Sequence, residues 1–173
     1  MKIFSLKYHH LLLILLTACK TSEKVTQAPQ NYIPNVDFSG QLDPEGLSFI
    51  RENYPWTPGS VLVINFLQPR SQCHFDNYAG SFKDEKKWWG GFYEKVNAEN
   101  YTNIFVYSQG ELVKFLDDKV YFDDKDDFLW WNYFGRKKSC FGVLVLNEAG
   151  YFHQYNGHYS ERQVAAFIED LKG

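Results

Sequence analysis

Apolar positions along the chain fall into short blocks whose spacing changes from one segment to the next. Val61–Leu67 is almost wholly apolar and rich in β-branched residues, which predicts a central strand buried on both faces. It runs into a loop, Pro69-Arg70-Ser71-Gln72-Cys73-His74, that delivers a thiol where a buried strand stops. Residues 103–108 predict a second strand and residues 142–146 a third buried one. Turn chemistry at Asn147-Glu148-Ala149-Gly150 then leads into residues 151–155 as a hairpin partner.

Between these blocks the spacing turns helical. Asp43 can cap a helix whose first position is Pro44 and whose inner face carries Leu47 and Ile50, ending near Asn53 before Tyr54-Pro55. Trp89, Phe92 and Val96 recur at helical spacing within residues 84–99. Gly90-Gly91 sits inside that pattern at about 1 kcal/mol per glycine relative to alanine. A short helix is expected over 111–116, with Leu112, Phe115 and Leu116 inward, and a polar, aromatic-bearing loop over 117–139. The last element is the clearest: Ser160 with Gln163 forms a capping box, and Val164, Phe167, Ile168 and Leu171 make the inward stripe.

The first residues read as an address. Lys2 and Lys7 precede the apolar block Leu11-Leu12-Leu13-Ile14-Leu15-Leu16, which is far short of the ~20 residues a helix needs to cross a bilayer. Leu16-Thr17-Ala18-Cys19 resembles the bacterial lipobox. The resemblance implies cleavage before Cys19 and lipid on its sulfur, hence a membrane-anchored protein of the bacterial cell envelope facing an extracytoplasmic compartment. The expected organisation is a signal peptide over 1–18, the lipidated cysteine and a flexible tether over 19–41, and a folded domain over 42–173. The tether reading rests on a polar, aperiodic composition with Pro29 and Pro34. The chain's net charge is −3, and residues 1–18 carry two lysines and no acids, so the mature protein is more acidic still. That argues against a nucleic-acid partner.

The element order is helix, strand, helix, strand, helix, strand, strand, helix. It is α/β, with a mixed central β-sheet flanked by helices. Over roughly residues 43–173 the chain resembles the thioredoxin-like family, through Val61-Leu62-Val63-Ile64-Asn65-Phe66 with the cysteine loop and through Val143-Leu144-Val145-Leu146-Asn147-Glu148-Ala149-Gly150 before the terminal helix. Two departures matter. Redox-active members carry Trp-Cys-x-x-Cys in the loop after the first central strand, where this chain has the single Cys73. They also place a cis-proline before the third strand, where this chain has Lys138-Ser139-Cys140-Phe141-Gly142.

The second departure supplies a thiol. The resemblance implies that the segment carrying Cys140 lies beside the loop carrying Cys73. A bond between them would constrain the unfolded chain by roughly 4 kcal/mol. One reading is a stabilising disulfide. Another is a redox pair, Cys73 and Cys140 being the catalytic candidates and Arg70, His74 and Lys138 the candidates for favouring thiolate. A third takes both cysteines and a histidine as soft copper or zinc ligands, as in similar metallochaperones of cytochrome oxidase assembly. Those proteins carry two cysteines in one loop, so no metal and no cofactor is expected here.

His153 and His158 read as surface residues, and Asp123-Asp124-Lys125-Asp126-Asp127 as a solvated loop, since it lacks the central glycine and distal glutamate of a calcium loop. Adjacent tryptophans, Trp88-Trp89 and Trp130-Trp131, cannot both face inward on a regular element. One of each pair is expected on an apolar patch that would mark a partner surface. The activity expected is thiol-disulfide exchange with a thiol substrate. The alternative is a non-catalytic binding module that holds another envelope protein.

Overall fold

The computed structural model describes residues 34–68, 82–108, 119–135 and 139–172. They form one six-stranded mixed sheet in the order β1-β6-β5-β2-β3-β4, with β1 Phe38–Gln41, β2 Val61–Leu67, β3 Tyr101–Tyr107, β4 Tyr121–Asp123, β5 Phe141–Leu146 and β6 Tyr151–Asn156. Three helices flank it: α1 Pro44–Asn53, α2 Phe82–Tyr93 and α3 Glu161–Leu171. None of the helices among the described residues is long and apolar enough to cross a membrane.

All seven residues of β2 are buried, because β2 has neighbours on both edges and a packed layer on both faces. It runs parallel to β3, from Val61 opposite Tyr101 to Leu67 opposite Tyr107, and antiparallel to β5, from Leu62 opposite Leu146 to Leu67 opposite Phe141. The two segments expected as buried strands, residues 61–67 and 142–146, are therefore neighbours in one mixed sheet. Val61, Val63 and Leu67 join the layer built by Trp89 and Phe92 of α2 and Val164, Phe167 and Ile168 of α3. Leu62, Ile64 and Phe66 face the opposite layer, with Ile50 of α1, Leu129 and Phe134.

Local chemistry sets the element ends. The Asp43 carboxylate accepts the Gly46 N–H at 2.7 Å, with Pro44 opening α1. In the β5–β6 turn, Asn147 Oδ1 accepts the N–H groups of Ala149 and Tyr151, and Gly150 adopts φ +83°. Ser160 Oγ accepts the Gln163 N–H as expected, yet the Gln163 amide donates to the Asn35 carbonyl instead of returning to the cap.

Three expectations shift. The last four residues of the expected tether form β1, which pairs antiparallel with β6, so a strand precedes the helix expected as the first element. Phe38 packs its ring on Phe152 at 5.7 Å, and Gly40 lets that ring close in, a contact no local periodicity announces. The helix expected to 99 ends at Tyr93. Val96 still reaches the core because the chain tightens there, Lys95 N–H bonding to Phe92 O and Val96 N–H to Tyr93 O. The loop expected over 117–139 contains β4, a 3₁₀ turn at Lys125–Asp127 and a π-helical turn at Trp130–Phe134. The helix expected over 111–116 lies outside the described residues.

Candidate functional site at the end of the central strands

Parallel strands β2 and β3 finish at the same end of the sheet, where β5 begins. Ser108 N–H donates to Leu67 O at 3.0 Å, closing the β2–β3 ladder. Across the other edge of β2, Gln68 N–H donates to Cys140 O at 3.0 Å and Gln68 Nε2 to Ser139 O at 2.9 Å. Ser139 Oγ in turn donates to Phe141 O and accepts the Phe141 N–H, a turn that launches β5.

Cys140 stands in this corner, 5% exposed and disulfide-bonded. The chain's other cysteines, Cys19 and Cys73, lie outside the described residues, as do Arg70, His74 and Lys138.

Two supports hold the corner in place. On one face Phe134 lies against Gly142 and stacks on Phe66, centroids 4.4 Å apart at 3°. On the other face is Asn65, fully buried within the apolar run of β2. Its Nδ2 donates to Asn103 Oδ1 at 2.6 Å and to Ile104 O at 2.8 Å, while its Oδ1 accepts the hydroxyls of Tyr93 and, at 2.7 Å, Tyr159. Burial pushes both tyrosine hydroxyls well above their ordinary pKa, so they remain donors. This cluster joins β2, β3, α2 and the approach to α3 through one side chain. Sequence reasoning passed over it, although Asn65 is the one polar residue in Val61–Leu67.

Asp124 is the exception to the solvated reading of residues 123–127, whose other four side chains are exposed. It is buried, 3% exposed, and its carboxylate accepts the N–H groups of Leu129 and Trp130, both at 2.8 Å. Burial lifts its pKa to about 6; the two N–H groups oppose that rise, and Asp127 and Asp123 add to it. The aspartate holds the start of the turn that delivers Phe134 to Gly142. Among the described residues no group of three or more His, Cys, Asp and Glu could hold a metal ion.

His158 is exposed, as expected. His153 is not a free surface residue: its side chain is 17% exposed, with Nδ1 hydrogen-bonded to Ser39 Oγ and Nε2 to Asp170, each at 2.7 Å, so it joins β1, β6 and α3. Of the tryptophans, Trp88 is 54% and Trp131 70% exposed, while Trp89 is buried.

The strand order β6-β5-β2-β3 combines a β2–α2–β3 parallel crossover with an antiparallel β5–β6 hairpin leading to α3. The fold is thioredoxin-like. Ser139 and Cys140 stand immediately before β5 in this sheet. No family model matches the chain, and no curated protein does. Among solved structures it is similar to the pneumococcal exposed lipoprotein thioredoxin Etrx1 from Streptococcus pneumoniae strain TIGR4, at 16% identity over 78% of this chain and 98% of that one, with a TM-score of 0.44. It is also similar to a putative thiol:disulfide interchange protein DsbE from Chlorobium tepidum, at 17% identity over 81% and 97%, TM-score 0.44. A third similar structure is MTB dsbF, at 18% identity over 65% and 81%, TM-score 0.40. The thioredoxin-like assignment rests on the strand order and register of the chain itself.

Proposed function

We propose that the protein is a lipid-anchored thioredoxin-like protein of the bacterial cell envelope that carries out thiol-disulfide exchange through a Cys73–Cys140 disulfide. The observation that carries this reading is the bonded sulfur of Cys140, placed where β2 ends and β5 begins. Five residues beyond Gln68 the sequence supplies Cys73, whereas Cys19 is reserved for lipid by the lipobox-like Leu16-Thr17-Ala18-Cys19.

The burial of Cys140 supports one order of attack. Because Cys140 is 5% exposed, an incoming thiolate attacks the Cys73 sulfur. The new bond is a mixed disulfide between substrate and Cys73; the bond that breaks releases Cys140 as a thiolate, which takes a proton. A second substrate thiol then attacks the mixed disulfide and frees Cys73. The substrate dithiol has lost two electrons and two protons, and the protein holds two thiols.

Peptide mapping of the unreduced protein by mass spectrometry, followed by equilibration with a dithiol under native conditions, tests the reading. We expect a Cys73–Cys140 cross-linked peptide that disappears with a midpoint potential well above about −300 mV, the region below which structural bonds sit. A Cys19–Cys140 peptide, or a bond that resists the dithiol until the protein is unfolded, overturns it.

The binding-module alternative draws on exposed Trp88 and Trp131, which lie on different elements, α2 and the π-helical turn. Retained partner binding in a Cys140→Ser variant would favour it.

A further inference from the structure

Side chains from three elements form one hydrogen-bonded line on the α3 side of the sheet. Ser39 Oγ of β1 lies 2.7 Å from His153 Nδ1 of β6, and His153 Nε2 lies 2.7 Å from Asp170 Oδ2 of α3. The Asp170 carboxylate can only accept, so Nε2 carries the proton of the neutral ring. Nδ1 is left as the acceptor, and the Ser39 hydroxyl donates to it. Asp170 also stands in the last turn of α3, where the negative helix end adds to the field that favours an imidazolium. From this bonding order we infer that Ser39 is an activated nucleophile that takes acyl groups from small activated esters, with His153 as its base and Asp170 positioning the imidazole. The ring is used in the opposite sense to the serine-protease arrangement, with Nδ1 and not Nε2 facing the hydroxyl, but the proton transfer is the same.

Strand register supplies the rest. Leu42 N–H donates to Gly150 O, so the bonded pairs of the β1–β6 ladder alternate back through Gly40–Phe152 to Phe38–Gln154. Ser39 and His153 are thus a non-bonded pair, the kind whose side chains come closest. The Ser39 N–H points away from β6, out of the sheet edge that β1 forms. There it can donate to the oxyanion that develops when an ester is attacked by Ser39 Oγ. Ser39 is exposed, and Tyr151, half-exposed on the same face of β6 as His153, offers apolar surface to the acyl group.

In the reaction Ser39 Oγ bonds to the ester carbonyl carbon as its proton passes to His153 Nδ1. The bond from that carbon to the leaving oxygen breaks, and the leaving oxygen takes the proton from His153. The products are an acyl ester on Ser39 and a free alcohol or phenol. Water, deprotonated by the same nitrogen, then cleaves the acyl-serine to a carboxylic acid and restores the hydroxyl.

The test adds p-nitrophenyl acetate to the full chain in detergent, follows nitrophenol release by absorbance, and maps acetylated residues by mass spectrometry after an acid quench. Ser48 is the internal reference, since it is exposed on α1 and its hydroxyl donates to Glu52 at 2.9 Å instead of to an imidazole. Ser39 is expected to be acetylated about 100-fold faster than Ser48, the low end of what a positioned general base contributes. Ser39→Ala should remove most of the nitrophenol release. His153→Gln should bring Ser39 down to the rate of Ser48. Asp170→Asn, a change at an exposed carboxylate, should slow Ser39 by about tenfold or more while the thermal midpoint stays within about 3 °C. If His153→Gln unfolds the domain, the Asp170→Asn rate decides. Acetyl groups on His153 or lysines, with Ser39 no faster than Ser48 and release unchanged in Ser39→Ala, overturn the assignment. So does a Ser39 rate that the folded variants leave unchanged, which would reduce the three side chains to a structural tie.

Discussion

A β-carbon added to Gly142 would lie 2.3 Å from Cε1 of Phe134. The phenyl ring cannot step aside, since Phe134 is 2% exposed and stacked flat on Phe66, itself directly opposite Gly142 in the β2–β5 register. Gly142→Ala is therefore expected to cost about 2 kcal/mol by overpacking, measurable as a lower urea midpoint with an unchanged slope. Stability within about 0.5 kcal/mol of wild type would show that the ring is not confined as described.

Gly90 and Gly91 of α2 present the opposite case. Apart from the backbone of α2 itself and the adjoining residues, no atom of the described residues lies within 4 Å of a β-carbon built on either, and neither has positive φ. Gly90→Ala and Gly91→Ala should each stabilise the protein by about 0.5–1 kcal/mol, read as a higher thermal midpoint. A loss of stability would mean that α2 is packed more tightly there than its open surroundings indicate.

The Asn65 cluster predicts a graded series. Asn65→Ala leaves the hydroxyls of Tyr93 and Tyr159 without their shared buried acceptor and opens a void, at a cost of about 3 kcal/mol. Tyr93→Phe removes one donor while the amide keeps its other bonds, so its cost should be nearer 1 kcal/mol. Equal costs for the two variants, measured by chemical unfolding, would deny Asn65 its place at the centre.

Asp124 makes stability depend on pH. Its folded pKa is raised from 3.8 to about 6, so the folded state holds the proton more tightly than the unfolded chain does. Its contribution is fully present below about pH 4 and is lost as pH rises through 6, a change on the order of 3 kcal/mol. Asp124→Asn should flatten that part of the stability profile between pH 4 and 7. A variant profile parallel to wild type over the same range would assign the slope to other groups.

At the N-terminus, Cys19→Ala is expected to move the protein from the membrane fraction to the soluble one and to leave its precursor uncleaved by lipoprotein processing. Unchanged membrane association, with no lipid on the wild-type N-terminal peptide, would remove the anchor from the proposal.

How much of this could be read from sequence depended on whether a segment's structure is locally encoded. Val61–Leu67 and the stripe of α3 announce themselves, because burial on both faces or on one helical face forces a repeating pattern. β1 does not. Four residues reading Phe-Ser-Gly-Gln carry no period, and they become a strand only because β6 offers an edge and Phe152 a ring to pack on. The turns at 125–134 are likewise set from a distance, by the carboxylate of Asp124 and by the space that Gly142 leaves for Phe134. At the site, Cys140 stood out by residue type alone. Gln68 did not, because half of its role is played by a backbone N–H that every residue but proline possesses.

The antiparallel pairing of β1 with β6 also fixes where the N-terminal segment leaves the sheet. Phe38 lies opposite Gln154, and the Asp37 carboxylate accepts the N–H of Asn156, which is itself opposite Gly142. The chain therefore joins the sheet two strands away from the start of β5, a lateral step of about 10 Å, and at the same end of the sheet as Cys140. On the lipid-anchored reading, the leash is fastened beside the disulfide and not behind it. A domain hung in this way would have the Cys140 end of its sheet, and not the β5–β6 turn at the opposite end, next to the point of attachment.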